Sequence, residues 1–139
     1  LEEFFLDKDI IVICVTAESF PTGVLAAFQK VHSLISDSFS RTTFGISHAD
    51  KNGTIIYKAA VEESFDGEGE KLGCDTFVIK KGEYISVTIK DFMKDIQSIG
   101  KAFKELLSDK RIDPKGACVE KYLNANDVQC MVKLADKLN

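Results

Sequence analysis

One carboxylate and four soft or aromatic side chains stand where they could build a binding site: Glu120 with Phe44, Tyr57, Tyr122 and Met131. The chemistry such a set supports is recognition of a cation. Ring faces attract positive charge through their quadrupoles, and the carboxylate supplies the counter-charge. Withdrawing Glu120 from water disfavours its charged form, and a cationic ligand relieves that cost. A Glu on an antiparallel strand is otherwise most often a solvated surface residue. Tyr57 and Tyr122 could equally be core residues whose hydroxyls reach water. No nucleophile-base pair accompanies the set, so no residue is assigned a catalytic role.

Placing these side chains together requires hairpins, and the sequence supplies two. ICVTAESF, starting at Ile13, returns as ISVTIKDF, starting at Ile85. Leu34, Ser36 and Asp37 answer Leu106, Ser108 and Asp109 at the same offset, and such self-similarity marks a duplicated supersecondary unit. In each copy a β-branched, largely apolar run predicts a buried strand, over residues 9–16 and 82–89. A helix follows each strand. The first is capped by Ser19 with Pro21 in its opening turn, and carries Val24, Phe28, Val31 and Ile35 on one stripe. The second is capped by Asp91 and carries Phe92, Ile96, Ile99, Phe103 and Leu106. Hairpins come next: residues 42–48 with 54–62 around Asp50-Lys51-Asn52-Gly53, and 117–123 with 128–135 around 124–127.

The expected fold class is therefore α+β. Two β-α-β-β modules, about 9–62 and 75–136, are related by pseudo-two-fold symmetry within one domain over 1–139. They form an antiparallel sheet with two helices on one face. Residues 64–73, rich in Gly and Glu, read as a loop or lid, and 75–80 as an extra strand.

Side chains alternate across a strand, so the turns decide which residues share a face. A four-residue turn at 124–127 pairs Leu123 with Val128. Glu120, Tyr122 and Met131 then share the face turned away from the helices, and Val119, Val128, Cys130 and Val132 the face turned towards them. Superposing the first hairpin on the second adds Phe44 and Tyr57 to the outward set. The five residues are expected at the seam between modules, where pockets tend to form.

Composition narrows the function further. A net charge of −4 and a pI near 5.2, with no basic run, argue against direct nucleic-acid binding. The four cysteines (Cys14, Cys74, Cys118, Cys130) show no CxxC pairing and no histidine at metal-ligand spacing. They read as reduced thiols in a cytoplasmic protein, without a basic activator beside any of them. His32 and His48 read as surface or satisfied residues rather than haem ligands. No metal and no cofactor is expected, and no apolar run is long enough to span a bilayer.

Four stretches carry a resemblance to a known family: Thr43-Phe44-Gly45-Ile46, Tyr57-Lys58-Ala59-Ala60-Val61, Lys81-Gly82-Glu83-Tyr84 and Val119-Glu120-Lys121-Tyr122. In order and spacing they resemble the GyrI-like family, the effector-binding domain of many multidrug-responsive bacterial transcription regulators, also found as a stand-alone protein. The similarity covers nearly the whole chain. It implies a SOUL-like fold with a pocket between the repeats that takes amphipathic, often cationic, aromatic molecules. The family's pocket-floor glutamate maps to Glu120, followed by Tyr122, and its hairpin aromatic maps to Tyr57. Two departures stand out: the chain has no tryptophan, and both helices belong to the modules, which leaves none for a DNA reader. The function expected is small-molecule binding by a stand-alone domain. The resemblance also implies two alternatives. One is hydrolysis of reactive electrophiles, with Glu120 as general base and a tyrosine as donor. The other is inhibition of a gyrase-like protein partner.

Overall fold

In the computed structural model, which describes residues 1–137, the chain forms two compact units. One is Asp9–Lys80; the other joins Leu1–Lys8 to the residues from Lys81 onward. No described helix is long and apolar enough to cross a membrane.

In the Asp9–Lys80 unit, the β-branched run Ile10–Thr16 forms strand β2, preceded in the chain by β1 at Glu2–Leu6. After β2 come helix α1 (Val24–Leu34), strands β3 (Thr43–Ala49) and β4 (Ile55–Glu62), the short helix α2 (Glu68–Lys71) and strand β5 (Asp75–Ile79). All pairings are antiparallel, in the order β3-β4-β2-β5. Helix α1 buries Ala27 and Val31, which cluster with Ile35 and with Ile13, Ala59 and Val61 of the sheet.

The other unit repeats the plan. Strand β6 (Gly82–Ile89), helix α3 (Gln97–Leu107) and strands β7 (Cys118–Tyr122) and β8 (Val128–Lys133) follow in sequence. They pair as β7-β8-β6-β1, again antiparallel. Ala102, Phe103 and Leu106 of α3 pack with Ile85, Val128, Cys130 and Val132. The α+β class with a duplicated β-α-β-β plan is thus present, each helix covering one face of the strands of its own unit.

The repeat also extends beyond the expected modules. Each copy begins with an edge strand, β1 or β5, and the two edges are exchanged. Strand β1 runs directly into β2 yet pairs with β6, Phe4 opposite Tyr84. Strand β5 runs into β6 yet pairs with β2, Phe77 opposite Val12. Val12 and Tyr84 are equivalent at the 72-residue offset that relates Ile13 to Ile85.

Neither helix begins where its capping signal predicts. Helix α1 starts at Val24, with Gly23 at its N-cap and no side-chain cap. The Ser19 hydroxyl lies 2.7 Å from that of Thr22 instead. A Cβ at Gly23 would sit 2.8 Å from the Ser19 carbonyl oxygen, so glycine is the residue this close approach accepts. In the second copy, Asp91 adopts a left-handed conformation (φ 52°), Phe92–Lys94 form a single 3-10 turn, and α3 starts at Gln97. Phe92 therefore belongs to the turn, and Ile96 is exposed rather than part of the apolar stripe.

Residues 64–73 also differ from the expected loop. They contain α2, whose Glu68 is buried. The Arg41 guanidinium grips that carboxylate with two bonds, 2.6 Å to Oε1 and 2.8 Å to Oε2. The Ser64 amide donates to the same Oε1 at 2.9 Å, and Asp37 accepts from Arg41 at 2.7 Å.

Candidate functional site

Hairpin register decides where each candidate side chain points. Both turns hold five residues, not four: Ala49 pairs with Ile55, and Tyr122 with Val128. Side-chain acceptors close each loop. Asp50 Oδ1 accepts from the amides of Asn52 (2.8 Å) and Thr54 (3.0 Å). Asn124 Oδ1 accepts from those of Asn126 (2.7 Å) and Asp127 (2.9 Å). One extra residue in a turn moves the partner strand's side chains to the opposite face. The expected face assignment is therefore corrected in both hairpins.

In the unit containing β7, Glu120 pairs with Cys130 and Tyr122 with Val128. Both share the face covered by α3, and Tyr122 packs against that core. Met131 pairs with Val119, on the face turned away from α3, where it is buried. In the Asp9–Lys80 unit, Tyr57 pairs with Ser47, shares the face of Ala59 and Val61, and meets Phe28 of α1. Phe44 pairs with Ala60 on the other face and is buried there. Within each hairpin, then, the expected aromatic and sulfur partners are separated by the sheet. Phe44 stands apart from Tyr57, and Met131 apart from Glu120 and Tyr122.

Residues outside the expected set take their places. Glu120 is only 7% exposed, and its Oε1 accepts a 2.5 Å hydrogen bond from the Tyr122 hydroxyl. The Phe92 ring lies edge-on to Tyr122, with centroids 5.6 Å apart. Its backbone explains how it gets there: the Phe92 amide donates to the Asn126 carbonyl and that of Asp91 to Asp127 Oδ1. Those bonds hold the 3-10 turn against the hairpin tip. In the Asp9–Lys80 unit, Phe20 stacks on Tyr57 at 5.7 Å and 22°, and Phe28 meets it edge-on at 6.0 Å. Tyr57 is buried, whereas Phe20 is half exposed. Phe20 and Phe92 end the two duplicated phrases, so the repeat itself was the signal that could have singled them out.

The electrostatics around Glu120 rule out the neighbouring thiol as a nucleophile. Burial, and then the charges of Glu120 and Cys118, push the Cys130 thiol up to about 12. Burial likewise raises Cys14. A group raised in this way stays protonated at neutral pH, and the thiolate is the reactive form. With an aromatic disulfide reagent at neutral pH, Cys14 and Cys130 are expected to react only once the chain is unfolded. Prompt modification of all four thiols in the folded protein would contradict this. Among the described residues, no group of three or more His, Cys, Asp or Glu side chains is placed to hold a metal ion.

No family model matches the chain, and no curated protein matches it in sequence. Solved structures do match. One is SAV2435, in a structure bound to tetraphenylphosphonium: the TM-score is 0.64 at 11% identity, covering 96% of this chain and 93% of that one. A second is an integron cassette protein from the mobile metagenome of Vibrio cholerae, with TM-score 0.61, 12% identity and 96% and 95% coverage. A third is described as a hydrolase from Listeria innocua, with TM-score 0.59, 8% identity and 96% and 90% coverage. At such identities the likeness is one of fold: these proteins share the architecture over nearly their whole length.

Proposed function

We propose that the chain is a binding domain for small amphipathic cations with aromatic substituents, and that Glu120 provides the counter-charge. The observation that carries this reading is a buried carboxylate bonded to a tyrosine hydroxyl, with the Phe92 ring packed edge-on against that tyrosine. Cations bind over ring faces, and desolvation strengthens both that attraction and the ion pair. Tyr57, with Phe20 and Phe28 around it, offers a further aromatic surface in the Asp9–Lys80 unit. The tetraphenylphosphonium bound to SAV2435 belongs to the same chemical class as the proposed ligand.

The test uses two nearly isosteric ions of opposite charge. Calorimetric titration with tetraphenylphosphonium is expected to give saturable binding, whereas tetraphenylborate binds at least about tenfold more weakly. Equal affinities for the two ions, or none for either, would remove the basis for the reading.

The Tyr122–Glu120 pair also fits a second role. A carboxylate 2.5 Å from a phenolic hydroxyl has the chemistry of a base-donor couple for adding water to a strained electrophile. Glu120 would take the proton of the attacking water while Tyr122 donates to the departing oxygen. Turnover of an epoxide by the wild-type chain that disappears in both Glu120→Gln and Tyr122→Phe would favour catalysis. Binding without turnover would favour the first reading.

A further inference from the structure

A concavity lies wholly within the Asp9–Lys80 unit. It is a cleft of about 390 Å³ between the end of β2, the following loop and the first two turns of α1. Its apolar lining is made of small residues, Val15, Ala17, Ala26 and Ala27, with Gly23 at the helix start. The hydroxyls of Thr16, Ser19 and Thr22 line it as well. Two opposite charges complete it: Glu18 on the loop and Lys30 on the helix. Among the described residues, neither side chain forms an ion pair, with the other or with any third group.

The spacing sets the size of a matching ligand. A Cβ at Gly23 would sit 3.2 Å from the Glu18 backbone nitrogen, and Lys30 lies seven residues beyond Gly23 on α1, so about 10 Å further along the helix axis. Three extended residues span at most about 10 Å. The volume lies within the range of small-ligand pockets, about 300–1,000 Å³. A lone anion would meet Glu18, and a lone cation would meet Lys30. A molecule carrying both charges satisfies both walls. The hydroxyls are suited to peptide groups, and the alanine-lined floor to short apolar side chains. The loop is anchored by the Ala17 amide, which donates to the Tyr57 carbonyl at 2.8 Å.

We propose that this cleft binds a short zwitterionic peptide of small residues, its free ammonium at Glu18 and its free carboxylate at Lys30. The site is independent of Glu120 and stands whether or not the aromatic-cation reading holds.

The experiment is an NMR titration of the isotope-labelled chain with trialanine, N-acetyl-trialanine and trialanine amide. Trialanine is expected to shift the amides of Ala17, Gly23 and Ala26 saturably, with millimolar affinity of order 1 mM. Each capped peptide is expected to bind about tenfold more weakly, since each lacks one charge-assisted contact. The exposed side chains can be changed without disturbing the core. Lys30→Gln should abolish the preference for trialanine over its amide, and Glu18→Gln the preference over the acetylated form. The proposal is overturned by absence of saturable shifts at these amides, by equal affinity for all three peptides, or by preferences that survive both substitutions.

Discussion

Glu120→Gln is expected to weaken tetraphenylphosphonium binding by about 10- to 100-fold while leaving the fold intact. The side chains are isosteric, and the amide oxygen can still accept from Tyr122, so the change removes the charge and little else. A hydrogen bond or ion pair to a charged group is worth about 1.5–3 kcal/mol, which converts to that range. The neighbouring thiol reports the same event without a ligand. Glu120's charge helps to raise Cys130, so neutralising it should lower that pKa while burial keeps it above the ordinary value. Calorimetry with both tetraphenyl ions measures the first effect, and pH-dependent thiol absorbance the second. If the variant still prefers the cation by the wild-type margin, Glu120 does not provide the counter-charge.

The second large effect concerns stability. Glu68→Gln is expected to cost about 2–3 kcal/mol at pH 7, because it leaves the Arg41 guanidinium without its principal partner inside the protein. Asp37 still accepts from Arg41, which keeps the loss below that of a fully isolated buried charge. The pH dependence has a definite sign. The side-chain bonds from Arg41 hold Glu68 at about 2, well below its ordinary 4.5. A depressed carboxylate contributes stability that is fully present above the ordinary value and is lost as pH falls towards the folded one. Urea unfolding of wild type and variant should thus differ most near neutral pH and converge between about pH 4 and 2. A gap that stays constant down to pH 2 would show that the ion pair is not its source.

Much of the architecture could be read from the amino-acid pattern, because strand and helix periods are local. The duplicated phrases correctly place β2 and β6, and the hairpins flank Asp50 and Asn124 as turn chemistry predicts. What escaped was set by single-residue geometry or by distant partners. Turn length depends on how Asp50 and Asn124 accept from amides two to four residues on, and one extra residue there turned Tyr57, Glu120 and Tyr122 to the helix-covered face while Phe44 and Met131 stayed outward. Ser19 has the right chemistry for a cap, yet the tight approach at Gly23 delays the helix. Arg41 and Glu68 are 27 positions apart, with no periodicity to connect them. Strand β1 was missed because its partner lies about eighty residues along the chain. Glu120 and Tyr122 do share a face, since residues two apart on a strand stay together whatever the register, but it is the face under α3 and not the outward one.

The crossed edges have a consequence for how the protein could be taken apart. Severing the backbone near residue 73, at the joint between the duplicated phrases, would give two pieces that each carry the wrong border strand. Each piece would leave one inner strand with a bare hydrogen-bonding rim and hold the ribbon that belongs on its sibling. Such rims template association, so the halves should seek each other and reassemble rather than survive alone. A single ancestral copy would have met the same difficulty, and lending its border strand to an identical neighbour would have solved it.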